Sequence, residues 1–146
     1  LKDLEIELCV AVGPTNSQRK QIEESVKLIS RARVIRQADY IKELASSSLA
    51  ILAAGSSLWE AAALGVPSIG LIVTDNQIGA SGGADRCGVS ISLDVRNDLC
   101  NESIVSNVEN LLTLANGALA KMRTAARNEV DELGSTRVLR AIGPNL

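Results

Sequence analysis

The chain has 146 residues, with 15 Lys plus Arg against 17 Asp plus Glu, three cysteines and no histidine. That length suits one domain with a real core, and a near-balanced charge lacks the basic excess that neutralises a nucleic-acid backbone, so nucleic acid is not an expected partner. Cys9, Cys87 and Cys100 fall at no metal-ligand spacing, and without histidine the usual zinc constellations are excluded.

No apolar run approaches the ~20 residues that a bilayer-spanning helix needs, and the opening Leu-Lys-Asp-Leu-Glu has neither Met nor the basic-then-apolar pattern of a signal peptide. The expectation is a reduced, cytoplasmic, metal-free chain without a membrane span, cut from a longer protein. With no Phe, one Trp and one Tyr, its core must be built from Leu, Ile, Val and Ala, which suits layered α/β packing.

In chain order, residues 5 to 12, with apolar side chains at 6 and from 8 to 12, predict a strand buried on both faces. Gly13-Pro14-Thr15-Asn16 ends it in turn chemistry, and Ile22, Val26 and Ile29 recur at helical spacing between residues 17 and 30, with Asn16 or Ser17 as candidate cap. Residues 33 to 36 predict a second strand, and Asp39 the cap of a helix over 40–46. Residues 49–53 predict a third strand, 57–64 a helix, 67–73 a fourth strand ending at Thr74-Asp75-Asn76-Gln77, and 89–93 a fifth beyond a break at Ser81-Gly82-Gly83. Apolar residues at threes and fours then predict helices over 102–114 and 118–133. Strands separated by helical segments imply βαβ units: an α/β fold, a Rossmann-like parallel sheet with helices on both faces, kept as a single domain over 1–146.

Ligands of such sheets gather at the carboxyl ends of the strands, where Gly13-Pro14-Thr15-Asn16, Ala54-Gly55-Ser56-Ser57 and Thr74-Asp75-Asn76-Gln77 all lie. A glycine and hydroxyls delivered to a helix N-terminus present unpaired N–H groups and the positive dipole end, which suit a phosphate. The competing reading is structural: Ser57-Leu58-Trp59-Glu60 fits the S-x-x-E capping box, with Ser57 as cap and Glu60 reaching back. Glu60 can also accept hydrogen bonds from sugar hydroxyls. Trp59 reads as a core anchor. Neither G-x-G-x-x-G nor G-x-x-x-x-G-K-[ST] occurs, and no nucleophile has a base beside it. The chain therefore reads as a binding half with no catalytic residue and no cofactor.

The run Ser47 to Gln77, "SSLAILAAGSSLWEAAALGVPSIGLIVTDNQ", resembles the C-terminal half of GT-B-type nucleotide-sugar enzymes. It is most similar to the UDP-sugar hydrolases of pseudaminic acid biosynthesis and the related spore-coat polysaccharide proteins, and more distantly to MurG-type glycosyltransferases. An apolar strand, a Gly-Gly-Ser-Thr turn, a Trp-Glu pair, a Leu-Gly-x-Pro exit and an Asn-Gln mark that family. The resemblance implies that Gly55, Ser56 and Ser57 contact a diphosphate, that Glu60 holds the ribose hydroxyls, and that Gly13 belongs to a first phosphate-side loop. It also places Asn76 and Gln77 near the diphosphate or sugar, and the uracil against backbone around residues 35 to 40.

Ala54 departs from the first glycine of the family's turn, Ser57 from its threonine, and Ala61 from an arginine common among the hydrolases. The implied partners are a UDP-sugar and an N-terminal GT-B domain that supplies the catalytic base, with hydrolysis of the sugar–diphosphate bond as the expected reaction. A MurG-like donor-binding domain and a non-catalytic α/β assembly module are the alternatives.

Overall fold

The computed structural model describes residues 6–98, 100–113, 117–131 and 133–143. By its contacts the chain divides into two units, Leu1–Ser47 and Ser48–Leu146. In the first unit β1 (Leu8–Ala11) and β2 (Ala32–Ile35) pair in parallel, from Leu8 opposite Ala32 to Ala11 opposite Ile35. Helix α1 (Arg19–Lys27) connects them, burying Val26. Helix α2 (Tyr40–Ser46) follows a 3-10 turn over Gln37–Asp39 and buries Leu44. Neither helix has a side-chain capping bond. Asn16 Oδ1 accepts the Gln18 N–H at 2.8 Å, closing a turn just before α1, while Asp39 takes the N-cap position of α2 as expected but its carboxylate accepts from Arg36 Nε at 2.7 Å and makes no capping bond.

The second unit carries β3 (Ala50–Ala53), β4 (Ser68–Ile72) and β5 (Ser90–Asp94) in that spatial order, all parallel. The crossovers are α3 (Ser56–Ala63) and α4 (Ile78–Arg86), followed by α5 (Asn101–Thr113), α6 (Ala118–Glu129) and α7 (Gly134–Ile142). Because side chains alternate across a strand, the sheet has two distinct faces. Leu52 and Ile72 pack with Leu58 and Ala62 of α3, Ala84 of α4 and Ala126 of α6. Ile69, Leu71, Ile91 and Leu93 pack on the other face with Val108 and Leu111 of α5 and Met122 of α6. Helices thus cover both faces, as the near-continuous apolar strands require. On the α3 face Gly70 leaves room for Leu58: a Cβ there would stand 3.2 Å from both Leu58 methyls.

Helices α3 and α4 end alike. In each a glycine in the left-handed region, Gly65 (φ +69°) or Gly88 (φ +71°), is followed by a buried valine, Val66 or Val89. The valine N–H reaches back five residues, Val66 to the Ala61 carbonyl and Val89 to that of Ala84. This is the Schellman arrangement, which satisfies carbonyls left open at a helix end. Gly65→Ala is therefore expected to destabilise by about 1–2 kcal/mol, the cost of a Cβ in that conformation. Gly79, inside α4 with nothing near its would-be Cβ, should behave oppositely, Gly79→Ala stabilising by up to about 1 kcal/mol. Denaturant midpoints of the two variants check both signs.

Two boundaries differ from the sequence expectation. The Ser81-Gly82-Gly83 break is instead the middle of α4. A Cβ on Gly83 would lie 3.7 Å from Trp59 Cζ2, an ordinary van der Waals contact, so the middle of the helix packs against the indole. The helix expected over 118–133 stops at Glu129, where Val130 turns extended (φ −124°, ψ 124°). Asp131 then accepts the Leu133 N–H at 3.0 Å and pairs with Arg137, which starts α7. Glu5, Leu114 and Glu132, which fell within a predicted strand and two helices, lie outside the described residues.

Candidate functional site

Strand β3 leads directly into α3 through Ala54 and Gly55. The Ala54 N–H extends the sheet by bonding the Leu71 carbonyl at 2.8 Å, and its methyl is fully buried among Leu58 and Ala62. That methyl therefore packs in the core and leaves the turn to Gly55. The helix N-cap is Gly55 (φ −110°, ψ −146°), with no side-chain capping bond. The capping-box expectation is thus corrected: Ser57 sits within the first turn, and the box fails because the helix starts two residues earlier than Ser57 as cap requires. The Ser56 and Ser57 N–H groups lie in the first turn, where a helix offers no carbonyl to them.

The solvent-facing side of α3 carries Ser56 and, one turn on, Glu60, while Leu58, Ala61 and Ala62 face inward. Both Ser56 and Glu60 are exposed, and among the described residues the Glu60 carboxylate has no hydrogen-bond or ion-pair partner.

Gln77 reaches the same turn from the end of β4. Its Oε1 accepts the Val73 N–H at 2.8 Å, which decides the amide's orientation, since a backbone N–H needs the oxygen. The Nε2 group is thereby turned toward α3, 4.0 Å from the point where a Cβ on Gly55 would stand. Gly55, Ser56, Ser57 and Gln77 are therefore brought together, with donors predominating. Asn76, in the same 3-10 turn (Asp75–Gln77), is exposed, and its Oδ1 accepts the Thr74 hydroxyl at 2.6 Å. Gly13 belongs to the first unit, where its carbonyl accepts the Asn16 N–H at 3.2 Å in the turn after β1. The Ile35 to Tyr40 stretch belongs there too, running from the end of β2 through the 3-10 turn into α2.

An ion-pair relay not anticipated from sequence stands beside the Asn76–Gln77 turn. Arg96, just past β5, is held by Asp94 at 2.9 Å (Nε to Oδ1) and 2.6 Å (Nη2 to Oδ2), and reaches Asp75 at 2.5 Å. Asp75 and Arg96 are 21 residues apart, and only the β4–β5 pairing makes them neighbours. Side-chain and backbone hydrogen bonds from Arg96 hold the Asp94 carboxyl down at about 2. A depressed carboxyl contributes stability fully above its unfolded value of about 3.9 and loses it as pH falls toward 2. The Asp94 carboxyl carbon should accordingly titrate by NMR near pH 2, and Arg96→Ala should return that midpoint toward about 3.9.

No group of three or more Cys, Asp or Glu side chains is arranged to hold a metal among the described residues. Nor is any helix there long and apolar enough to cross a membrane. The Cys9 thiol in β1 is pushed up by burial, which disfavours the nucleophilic thiolate. No protein-family model matches the chain, and a search of curated proteins finds no match.

Proposed function

We propose that this chain binds the UDP part of a UDP-sugar, with the diphosphate at the start of α3, as part of a GT-B-type enzyme of surface polysaccharide or nonulosonic acid biosynthesis. The observation that carries the reading is the convergence of Gly55, the first-turn amides of Ser56 and Ser57, and the Gln77 amide whose nitrogen faces them. Helix N-termini favour anions through exposed N–H groups and the dipole. Glu60, exposed and without a partner among the described residues on the same side of α3 as Ser56, is suited to accept hydrogen bonds from ribose hydroxyls. In turnover this site would disperse charge developing on the UDP leaving group, while a separate domain activates water as general base.

Ala61 favours a second version of this reading. It is fully buried on the core side of α3, where an arginine like that of the hydrolase branch has no room, so transfer to an acceptor hydroxyl stands beside hydrolysis. Trp59 is the sole tryptophan and precedes Glu60, which makes its fluorescence a reporter. Titration with UDP, CMP, ADP and inorganic phosphate is expected to give saturable quenching and a raised melting temperature with UDP, at lower concentrations than with CMP or ADP. If millimolar UDP moves neither signal, the nucleotide reading is wrong.

A further inference from the structure

We infer that Arg96 is a positioning residue for this site, acting through Asp75 to hold the turn that presents Gln77 to Gly55. The inference rests on the UDP reading for its consequence in binding, but its geometry stands by itself.

Asp75 opens the 3-10 turn, and its side chain is 90% exposed, so packing does not hold it. What fixes it is Arg96, and Arg96 is fixed in turn. Its guanidinium makes a two-point contact with Asp94, at 2.9 and 2.6 Å. Its own N–H donates to Asp94 Oδ1 at 3.2 Å, and the Val95 N–H just before it donates to the Ile72 carbonyl at 3.1 Å. The fork therefore extends from a strand end already tied to β4, with Nη1 left to reach Asp75 at 2.5 Å. From Asp75 the constraint passes two residues along the turn. Gln77 N–H bonds the Thr74 carbonyl at 3.1 Å, and Gln77 Oε1 takes the Val73 N–H. An unlatched turn can rotate, freeing Oε1 from Val73 and turning the amide away from Gly55.

A lone exposed ion pair stabilises little, but here its work is orientation, and the expected effect is correspondingly specific. Arg96→Ala and Asp75→Asn should each weaken UDP by about two- to fivefold, the range of one exposed pair. The double variant should be no weaker than either single one, because both remove the same contact. Arg96→Lys, which keeps the charge but loses the planar fork, should recover only part of the loss.

The experiment is a set of titrations with UDP on the four variants and the parent, paired with amide exchange at Val73 and the Gln77 side-chain resonances measured without ligand. The latch predicts faster Val73 exchange and a shifted Gln77 side-chain signal in Arg96→Ala and Asp75→Asn alike. If Asp75→Asn leaves Val73 and Gln77 unchanged, Arg96 serves only Asp94 and the latch is overturned. If the spectra change as expected while UDP fails to bind even the parent, the latch holds and the nucleotide reading fails.

Discussion

Truncating Leu58 to alanine is expected to cost about 3 kcal/mol of folding stability, within the range for a leucine with little room to collapse. Leu58 is fully buried at the centre of the α3 face, and both its methyls stand against the bare Cα of Gly70. That pairing gives the experiment a second arm. Gly70→Ala alone forces a methyl to 3.2 Å from the Leu58 methyls and from Ser92 Oγ, and Ser92 is committed to Asp85 at 2.9 Å, so the single change should destabilise. In the Leu58→Ala background the same methyl enters vacated space and should restore about 1 kcal/mol, the worth of one buried methyl. Urea midpoints of the three variants test this; additive losses would mean that the two positions do not share one space.

Glu60→Ala should separate binding from folding. Glu60 caps nothing in the structure and is exposed without a partner among the described residues, so stability should stay within about 0.5 kcal/mol of the parent. As the ribose ligand, its loss should weaken UDP by roughly tenfold or more, since hydrogen bonds to a charged group contribute about 1.5–3 kcal/mol. Pyrophosphate, which has no ribose, should bind as before. Equal weakening of both ligands would contradict the ribose role, and a large drop in melting temperature would restore a structural one. Calorimetric titration of both ligands distinguishes these results.

What could be read from the sequence follows from which forces are local. The apolar runs around Val10, Ile51, Ile69 and Ile91 mark the strands, but burial on both faces holds for β4 rather than for β1, whose Leu8 is exposed, or for β3, whose Ile51 is exposed; the parallel α/β architecture with flanking helices follows. The Gly65 helix end was similarly local in cause: a glycine followed by valine after the apolar stretch of α3. Helix α4 was hidden because Gly82 and Gly83 argue against a helix by propensity, while the packing of Gly83 against Trp59 comes from α3.

The candidate site divides in the same way. Gly55, Ser56 and Ser57 were visible as a strand-to-helix turn, and Gln77 as part of a polar turn. Its orientation by the Val73 N–H is a hydrogen-bond choice that no spacing rule records. The Asp75–Arg96 pair depends on two strands being neighbours, so neither residue announces the other. The capping box failed for a narrower reason: a match of residue types does not fix which residue the helix starts on, and Gly55 took that place.

The fixed orientation of the Gln77 amide bears on how binding should respond to acid. With Oε1 occupied, the group offers only hydrogen to a ligand at the α3 start, as the first-turn amides do, and none of these donors gains or loses a proton between pH 5 and 8. The chain has no histidine to do so either. A fall in affinity centred near pH 6 would belong to the nucleotide, whose terminal phosphate takes up a proton there as phosphate monoesters do. Acid sensitivity would then be a property that the ligand carries in with it.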